Sequence, residues 1–299
     1  MSAPVRSPRA WLDLCLLTGC WASGYTFTAM ALDGIAPEWV VVLRQLVAAA
    51  MLIPLALYFT RSTHIARGLW PWLIALAIVG NVAPFYAISW GQQHVESGLT
   101  SILVTTMPLM TLAMAHVFVA GERMTPRRSF GFTIGLLGVA LIVGPEVLLT
   151  IGDSRIEILA QFAILLGALL FAANAIIARK SPAMDIWMRA AVTNALAFVI
   201  VLPLAWSVTP PPTTFPGWWA VTGVLGIGIF ASGLATVIYF RLIEEAGPTF
   251  MSMTNFLVPP VALLAGMIVL AERPGLWALG GLVLIMAGIL IAETKARRA

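Results

Sequence analysis

Residues 97–123 read SGLTSILVTTMPLMTLAMAHVFVAGER, and residues 246–273 read AGPTFMSMTNFLVPPVALLAGMIVLAER. Each stretch is apolar and long enough to cross a bilayer, which takes about 20 residues of helix. Each opens on a Gly-x-Thr triplet, Gly98-Leu99-Thr100 in one and Gly247-Pro248-Thr249 in the other. Thr105-Thr106 falls on Thr254-Asn255, and Pro108 and Pro259 lie at similar depth. Both stretches end on an acid–arginine pair, Glu122-Arg123 and Glu272-Arg273. The stretch after each carries matched glycines, Gly131 and Gly138 in the first copy, Gly281 and Gly288 in the second. The chain therefore contains an internal repeat.

Hydropathy predicts ten spans, at about 11–31, 37–60, 69–90, 97–120, 127–145, 157–179, 186–208, 216–241, 247–271 and 275–293. The repeated stretches are the fourth and the ninth. Five crossings, spans five to nine, separate Glu122 from Glu272, so the two fall on opposite faces of the membrane, and the second copy is inverted relative to the first. The division predicts a first unit over 1–147 and a second over 148–299. The 17 Lys and Arg agree independently. With the N-terminus inside, fourteen lie on the cytoplasmic side, Arg155 and Arg273 lie outside, and Arg44 lies within a span. Such a bias orients both termini to the cytoplasm of a bacterial inner membrane.

Composition excludes a soluble globule. Of 299 residues, 60% are hydrophobic and only 10% charged, against about 25% charged in soluble domains; mean hydropathy is +0.96. The net charge of +4 is spread as loop punctuation and does not indicate nucleic acid. Met1–Ala10 is short and basic and runs into the first span without a small-residue cleavage site, the pattern of an uncleaved anchor. Cys15 and Cys20, five apart on one helix, face different ways, so neither a disulfide nor a metal or cofactor site is expected.

Trp21 with Gly24 in span one, Arg44 in span two, and the two Pro-to-Glu segments, Pro108 through Glu122 and Pro259 through Glu272, resemble the ten-helix drug/metabolite transporter superfamily in its EamA exporter branch. The likeness covers nearly the whole chain and is nearest to the YddG-type amino-acid exporters. It implies an all-α membrane protein with two inverted five-helix repeats around a central cavity, exporting from the cytoplasm by alternating access. One departure stands out. The second repeat has no arginine matching Arg44, since Asn194 occupies that region.

Arg44 is the basic residue set well inside a span, where a charge is costly and faces a polar interior. It either attracts a substrate carboxylate or caps a neighbouring helix end. Trp21 and Tyr25 share a helical face mid-span, and Tyr86 and Trp90 repeat that spacing in span three. Rings there suit apolar or aromatic substrates, or cations on the ring face; the alternative is ordinary packing. Trp11, Trp39, Trp70, Trp72, Trp187, Trp206, Trp218, Trp219 and Trp277 fall near span ends, as an aromatic belt requires. Asn81, Asn174 and Asn255, with Thr106, either line a wet cavity or join helices. Pro108 and Pro259 bend their helices as kinks or hinges. The glycine ridges of spans five and ten predict close helix packing, with dimerisation a further use; a monomer is the expectation. Glu122 and Glu272 read as helix-end anchors, and Asp13 lies near the inner boundary within reach of water.

The partners implied are a small-molecule substrate and lipid. A nearly uncharged aromatic interior favours a carrier of amino acids or small amphipathic metabolites. Anionic sugar phosphates call for several interior bases, and only Arg44 is present. Cationic drug efflux by the same fold is the alternative, although no acid lies clearly mid-span. An intramembrane enzyme needs clustered His, Asp or Glu, a channel needs a filter or charge ring, and no phosphate-binding Gly-rich motif points to ATP.

Overall fold

The computed structural model describes residues 7–60, 63–118, 125–143, 155–246 and 254–293, and every secondary-structure element among them is helical. Glu122, Arg123 and the Gly247-Pro248-Thr249 triplet lie outside the described residues. Spans one and two are Pro8–Leu32 and Pro37–Phe59. Span three is Arg67–Gly91. Span four consists of Ser97–Val104 and Met107–Phe118. Spans five, six and seven are Pro126–Val143, Arg155–Lys180 and Ile186–Val208. Span eight runs through Trp218–Gly226, Ile227–Leu234 and Ala235–Ala246. Spans nine and ten are Thr254–Val269 and Leu276–Glu293. Spans two, three, six, seven and eight are each long and apolar enough to cross a membrane on their own composition.

The ends of these helices follow local chemistry. Pro8 and Pro37 open their spans at a position where a missing N–H costs nothing. The Ser7 hydroxyl accepts the Ala10 N–H at 3.2 Å. Asp185 caps span seven by accepting the Met188 N–H at 3.0 Å, and also accepts the Thr60 hydroxyl at 2.7 Å. That second bond ties the end of span two to the start of span seven.

Contacts between helices recur in exchanged pairs, as an inverted duplication demands. Span two packs antiparallel on span seven: Leu52 and Ala56 meet Ala190 and Ala191, while Val40, Val41 and Val42 meet Ala197, Val201 and Ala205. These two helices are each 23 residues long, with Pro54 and Pro203 at the same place in each. Spans five and ten, each 18 residues long, form a second antiparallel pair. A Cβ on Gly138 would stand 2.8 Å from the Gly281 carbonyl, and one on Gly288 would stand 2.5 Å from the Gly131 carbonyl. The glycine ridges thus face each other within one chain, which leaves these faces unavailable for the dimer contact considered from sequence. Spans three and six pack through Gly80, Gly91 and Gly167, and their counterparts eight and one pack through Gly223, Gly226 and Gly24.

The third span of each repeat carries a π-helical turn, Ile78–Val82 in span three and Ile227–Leu234 in span eight. Such turns loosen the backbone ladder and gather at functional positions. Side chains take up the carbonyls they disturb: Asn81 Nδ2 donates to the Leu76 carbonyl at 3.4 Å, and the Thr236 hydroxyl donates to the Ser232 carbonyl at 2.6 Å.

Three sequence expectations need correction. Pro108 does not bend a continuous helix. Span four breaks at Thr105-Thr106, whose hydroxyls turn back onto the Ser101 and Leu103 carbonyls, and Pro108 sits in the first turn of the restarted helix. Pro259 and Pro260 do lie inside a helix, leaving the Asn255 and Phe256 carbonyls without an amide four residues on. Trp39 is not part of an exposed belt: it is buried, its indole N–H reaches the Thr209 carbonyl at 3.1 Å, and its ring meets Trp206 edge-on. Asp13 does not face water. It is 2% exposed and accepts two bonds from Arg241, at 2.8 and 2.5 Å, because a carboxylate this deep needs a cation.

Candidate functional site

Arg44 lies one-third of the way along span two and is 5% exposed. Its Nε and Nη2 both donate to the Ser232 hydroxyl, at 3.3 and 2.8 Å. Ser232 sits in the π-helical turn of span eight, so this bond joins the first repeat to the second. The guanidinium carbon stands 3.4 Å from the centroid of the Phe85 ring in span three, a cation–π contact. Gly228, in the same turn, lets span eight approach the Arg44 carbonyl closely. A guanidinium offers five N–H donors. One hydroxyl and one ring satisfy part of it, and no carboxylate among the described residues pairs with it.

Beside it, Gln45 is wholly buried with neither amide atom bonded. Counting from the helix starts, Arg44 corresponds to Thr193 and Gln45 to Asn194. Thr193 bonds back to the Arg189 carbonyl at 2.7 Å, and Asn194 keeps an unbonded, buried Oδ1. The cation is therefore confined to one half of a site whose amides occur in both.

Around this centre the aromatic residues divide. Trp21 is half-buried and its ring meets Tyr239 of span eight at 5.7 Å, so a second cross-repeat contact lies along the same seam. Tyr25 packs with Ile88, Leu103 and Ile164, and its carbonyl accepts Gln92 Nε2 at 3.1 Å. Trp90 joins that layer and lies edge-on to His94. Tyr86 does not belong to the group: it is 37% exposed and its hydroxyl donates to Glu38 at 3.3 Å. Asn174 leaves a buried Oδ1 unbonded beside Gly80, where any Cβ would overlap it. Asn81 occupies the neighbouring position in the π turn. Thr106 is buried and spent on its own helix. The Asn255 side chain lies outside the described residues.

Sequence reading missed Gln45, Phe85, Ser232 and the Asp13–Arg241 pair. Gln45 interrupts an apolar run beside Arg44 and was visible as such. Ser232 and Phe85 become notable only once three helices meet. A purely apolar groove of about 300 Å³ between spans two, three and seven, lined by Ile53, Leu57, Trp70 and Met188, faces outward and lacks the polar groups a solute site needs.

The chain belongs to the EamA-like transporter family, whose sequence model matches it twice, over residues 10–144 and 158–294. It is a membrane transporter of the drug/metabolite superfamily, and the family model's two matches divide the chain into two repeats. It is 26% identical over 284 residues to the uncharacterized transporter YoaV of Bacillus subtilis (strain 168), covering 94% of this chain and 95% of that one. It is 27% identical over 282 residues to a probable terminal-alkyne amino-acid exporter of Streptantibioticus cattleyicolor, covering 94% and 92%. A solved crystal structure superposes with a TM-score of 0.67 at 16% identity, over 97% of this chain and 98% of the other, which supports the fold alone.

Proposed function

We propose that this protein is a secondary carrier exporting amino acids with apolar or aromatic side chains, and related small metabolites, across the cytoplasmic membrane. The observation that carries this reading is Arg44: a buried cation held between repeats with part of its donor set unused. A substrate carboxylate completes that set with charge-assisted bonds. Trp21 and Tyr25 hold the side chain, and Asn81 and Asn174 hold the amine. Trp90, in the layer beside Tyr25, lines the path, while Tyr86 serves its outer edge. The moving units are residues 1–147 and 148–299, which rock about the seam carrying Arg44–Ser232, with the break at Thr105-Thr106 and the proline pair at Pro259 as the bends. Both termini face the cytoplasm, following the Lys and Arg bias, and the carrier works as a monomer because its small-residue faces are used internally.

The relative named as a probable amino-acid exporter supports the substrate class. Efflux of cationic drugs is disfavoured, since it calls for an available intramembrane acid and Asp13 is engaged by Arg241. The test is counterflow in proteoliposomes loaded with a panel of unlabelled amino acids, with and without a pH gradient. Exchange of labelled apolar amino acids is expected; exchange of lipophilic cations in their place would overturn the substrate assignment.

A further inference from the structure

Span nine ends in a turn that returns its last side chain to the other repeat. The Gly266 carbonyl accepts the N–H of Leu270 at 3.0 Å and that of Glu272 at 3.2 Å. Between them Ala271 has φ 56°, the one non-glycine positive φ among the described residues. That is the left-handed conformation a helix C-terminus uses to reverse direction, and glycine normally supplies it. Here the reversal carries Glu272 to the start of span four. Its Oε1 accepts the Ser97 N–H at 2.7 Å and its Oε2 accepts the Gly98 N–H at 3.0 Å. These are two of the amides that a helix start leaves unpaired, and a carboxylate binds them with the favourable sign of the helix dipole.

The cradle has no room to spare. A Cβ on Gly266 would overlap the Glu272 carboxylate, and one on Gly98 would stand 2.8 Å from Leu263 and 3.3 Å from Glu272 Oε2. Immediately below, Ile102 and Leu103 of span four and Leu263 of span nine form one buried layer. Ser97 and Thr100 are buried there with unbonded hydroxyls. Spans four and nine belong to different repeats, so any movement that parts their ends here must break both Glu272 bonds.

We propose that Glu272 is the clamp that holds this end of the pathway shut, a positioning residue whose release from the Ser97 and Gly98 amides accompanies opening toward the outside. The proposal rests on the carrier reading, in which the two ends open alternately. It makes the turn at Ala271 a working part: the turn aims the carboxylate, and the two glycines admit it.

The test reads opening separately from transport. A Thr100→Cys reporter, in a Cys15→Ser, Cys20→Ser background in lipid nanodiscs, is exposed to a water-soluble maleimide. With Glu272 intact the reporter is protected. Glu272→Ala is expected to raise its labelling rate about tenfold, and Glu272→Gln, which keeps one acceptor oxygen, to raise it less. Glu272→Gln also serves where the alanine variant does not fold. Unchanged labelling in a folded Glu272→Gln or Glu272→Ala protein would overturn the proposal and leave Glu272 a static anchor. In a second arm, Ser97→Cys and Glu272→Cys are joined by a short thiol cross-linker. Cross-linking should abolish counterflow and reduction should restore it, whereas undiminished counterflow while cross-linked would also overturn the clamp. Absence of counterflow before cross-linking would count against the carrier reading alone, since labelling does not depend on it.

Discussion

An ionised side chain at the middle of a bilayer costs about 2.5–3.5 kcal/mol on insertion scales, and the Ser232 hydroxyl with the Phe85 ring offsets only part of that for Arg44. In the proposed function, a substrate carboxylate supplies the rest. Arg44→Gln is therefore expected to raise KM for amino acids by roughly tenfold to a hundredfold, while changing transport of their uncharged analogues much less; initial rates of counterflow measure both. Trp21→Ala removes a ring worth about 0.5–1.5 kcal/mol in aromatic contact with Tyr239 beyond its area burial. That variant should insert normally and transport more slowly, and wild-type rates would remove Trp21 from the site.

Glu96, in the loop before span four, offers a pH prediction. Burial first, and the Glu272 charge second, hold its carboxyl above the ordinary range, with the Arg273 backbone N–H acting in the opposite direction. A raised folded pKa means that its contribution to stability is fully present below the unfolded value of 4.5. The contribution fades as pH rises through the folded value. Glu96→Gln should thus keep its stability where wild type loses some above pH 4.5, as read by thermal unfolding across pH 4 to 7.

At the scale of the helices, close approach is the recurring device. Gly138 and Gly288 let spans five and ten meet backbone to backbone. Replacing either with leucine forces them apart and should destabilise the protein by about 1–3 kcal/mol or more, which a detergent melting curve reports. The Asp13–Arg241 pair joins spans one and eight. Asp13→Asn should cost less than the roughly 3–5 kcal/mol of a fully buried pair, because the Arg241 side chain keeps 35% of its surface exposed.

Span positions, the matched glycines and Glu272 as the acid that ends span nine were readable from the sequence, because each leaves a local signature of hydropathy, spacing or charge. The break in span four was not. Threonine hydroxyls folding back at Thr105-Thr106, rather than Pro108, end the first segment, and threonine is common inside membrane helices. The π turns also leave no periodic trace. Tyr86 was misplaced because equal spacing to Trp90 predicts a shared face but not which face turns inward. The capping of span four by Glu272 depends on a contact 175 residues apart in sequence, beyond any window that spacing can read.

For the molecule as a whole, inversion organises everything else: spans two against seven, five against ten, and three with six mirrored by eight with one. Asymmetry is then informative. Arg44 has Thr193 as its counterpart, so the cation is supplied by one repeat and received by the other repeat's Ser232. In intact cells a cysteine at position 272 should label with an impermeant reagent and one at position 122 should not; labelling of both from one side would contradict the inverted arrangement.

The central claim is that a carboxylate completes the Arg44 centre. It is tested most directly by proteoliposome counterflow of one apolar amino acid and its decarboxylated amine, in wild type and in Arg44→Gln. The account predicts strong exchange of the amino acid by wild type, weak exchange of the amine, and loss of that preference in Arg44→Gln. Equal exchange of the two compounds by wild type, or an unchanged preference in Arg44→Gln, would contradict it.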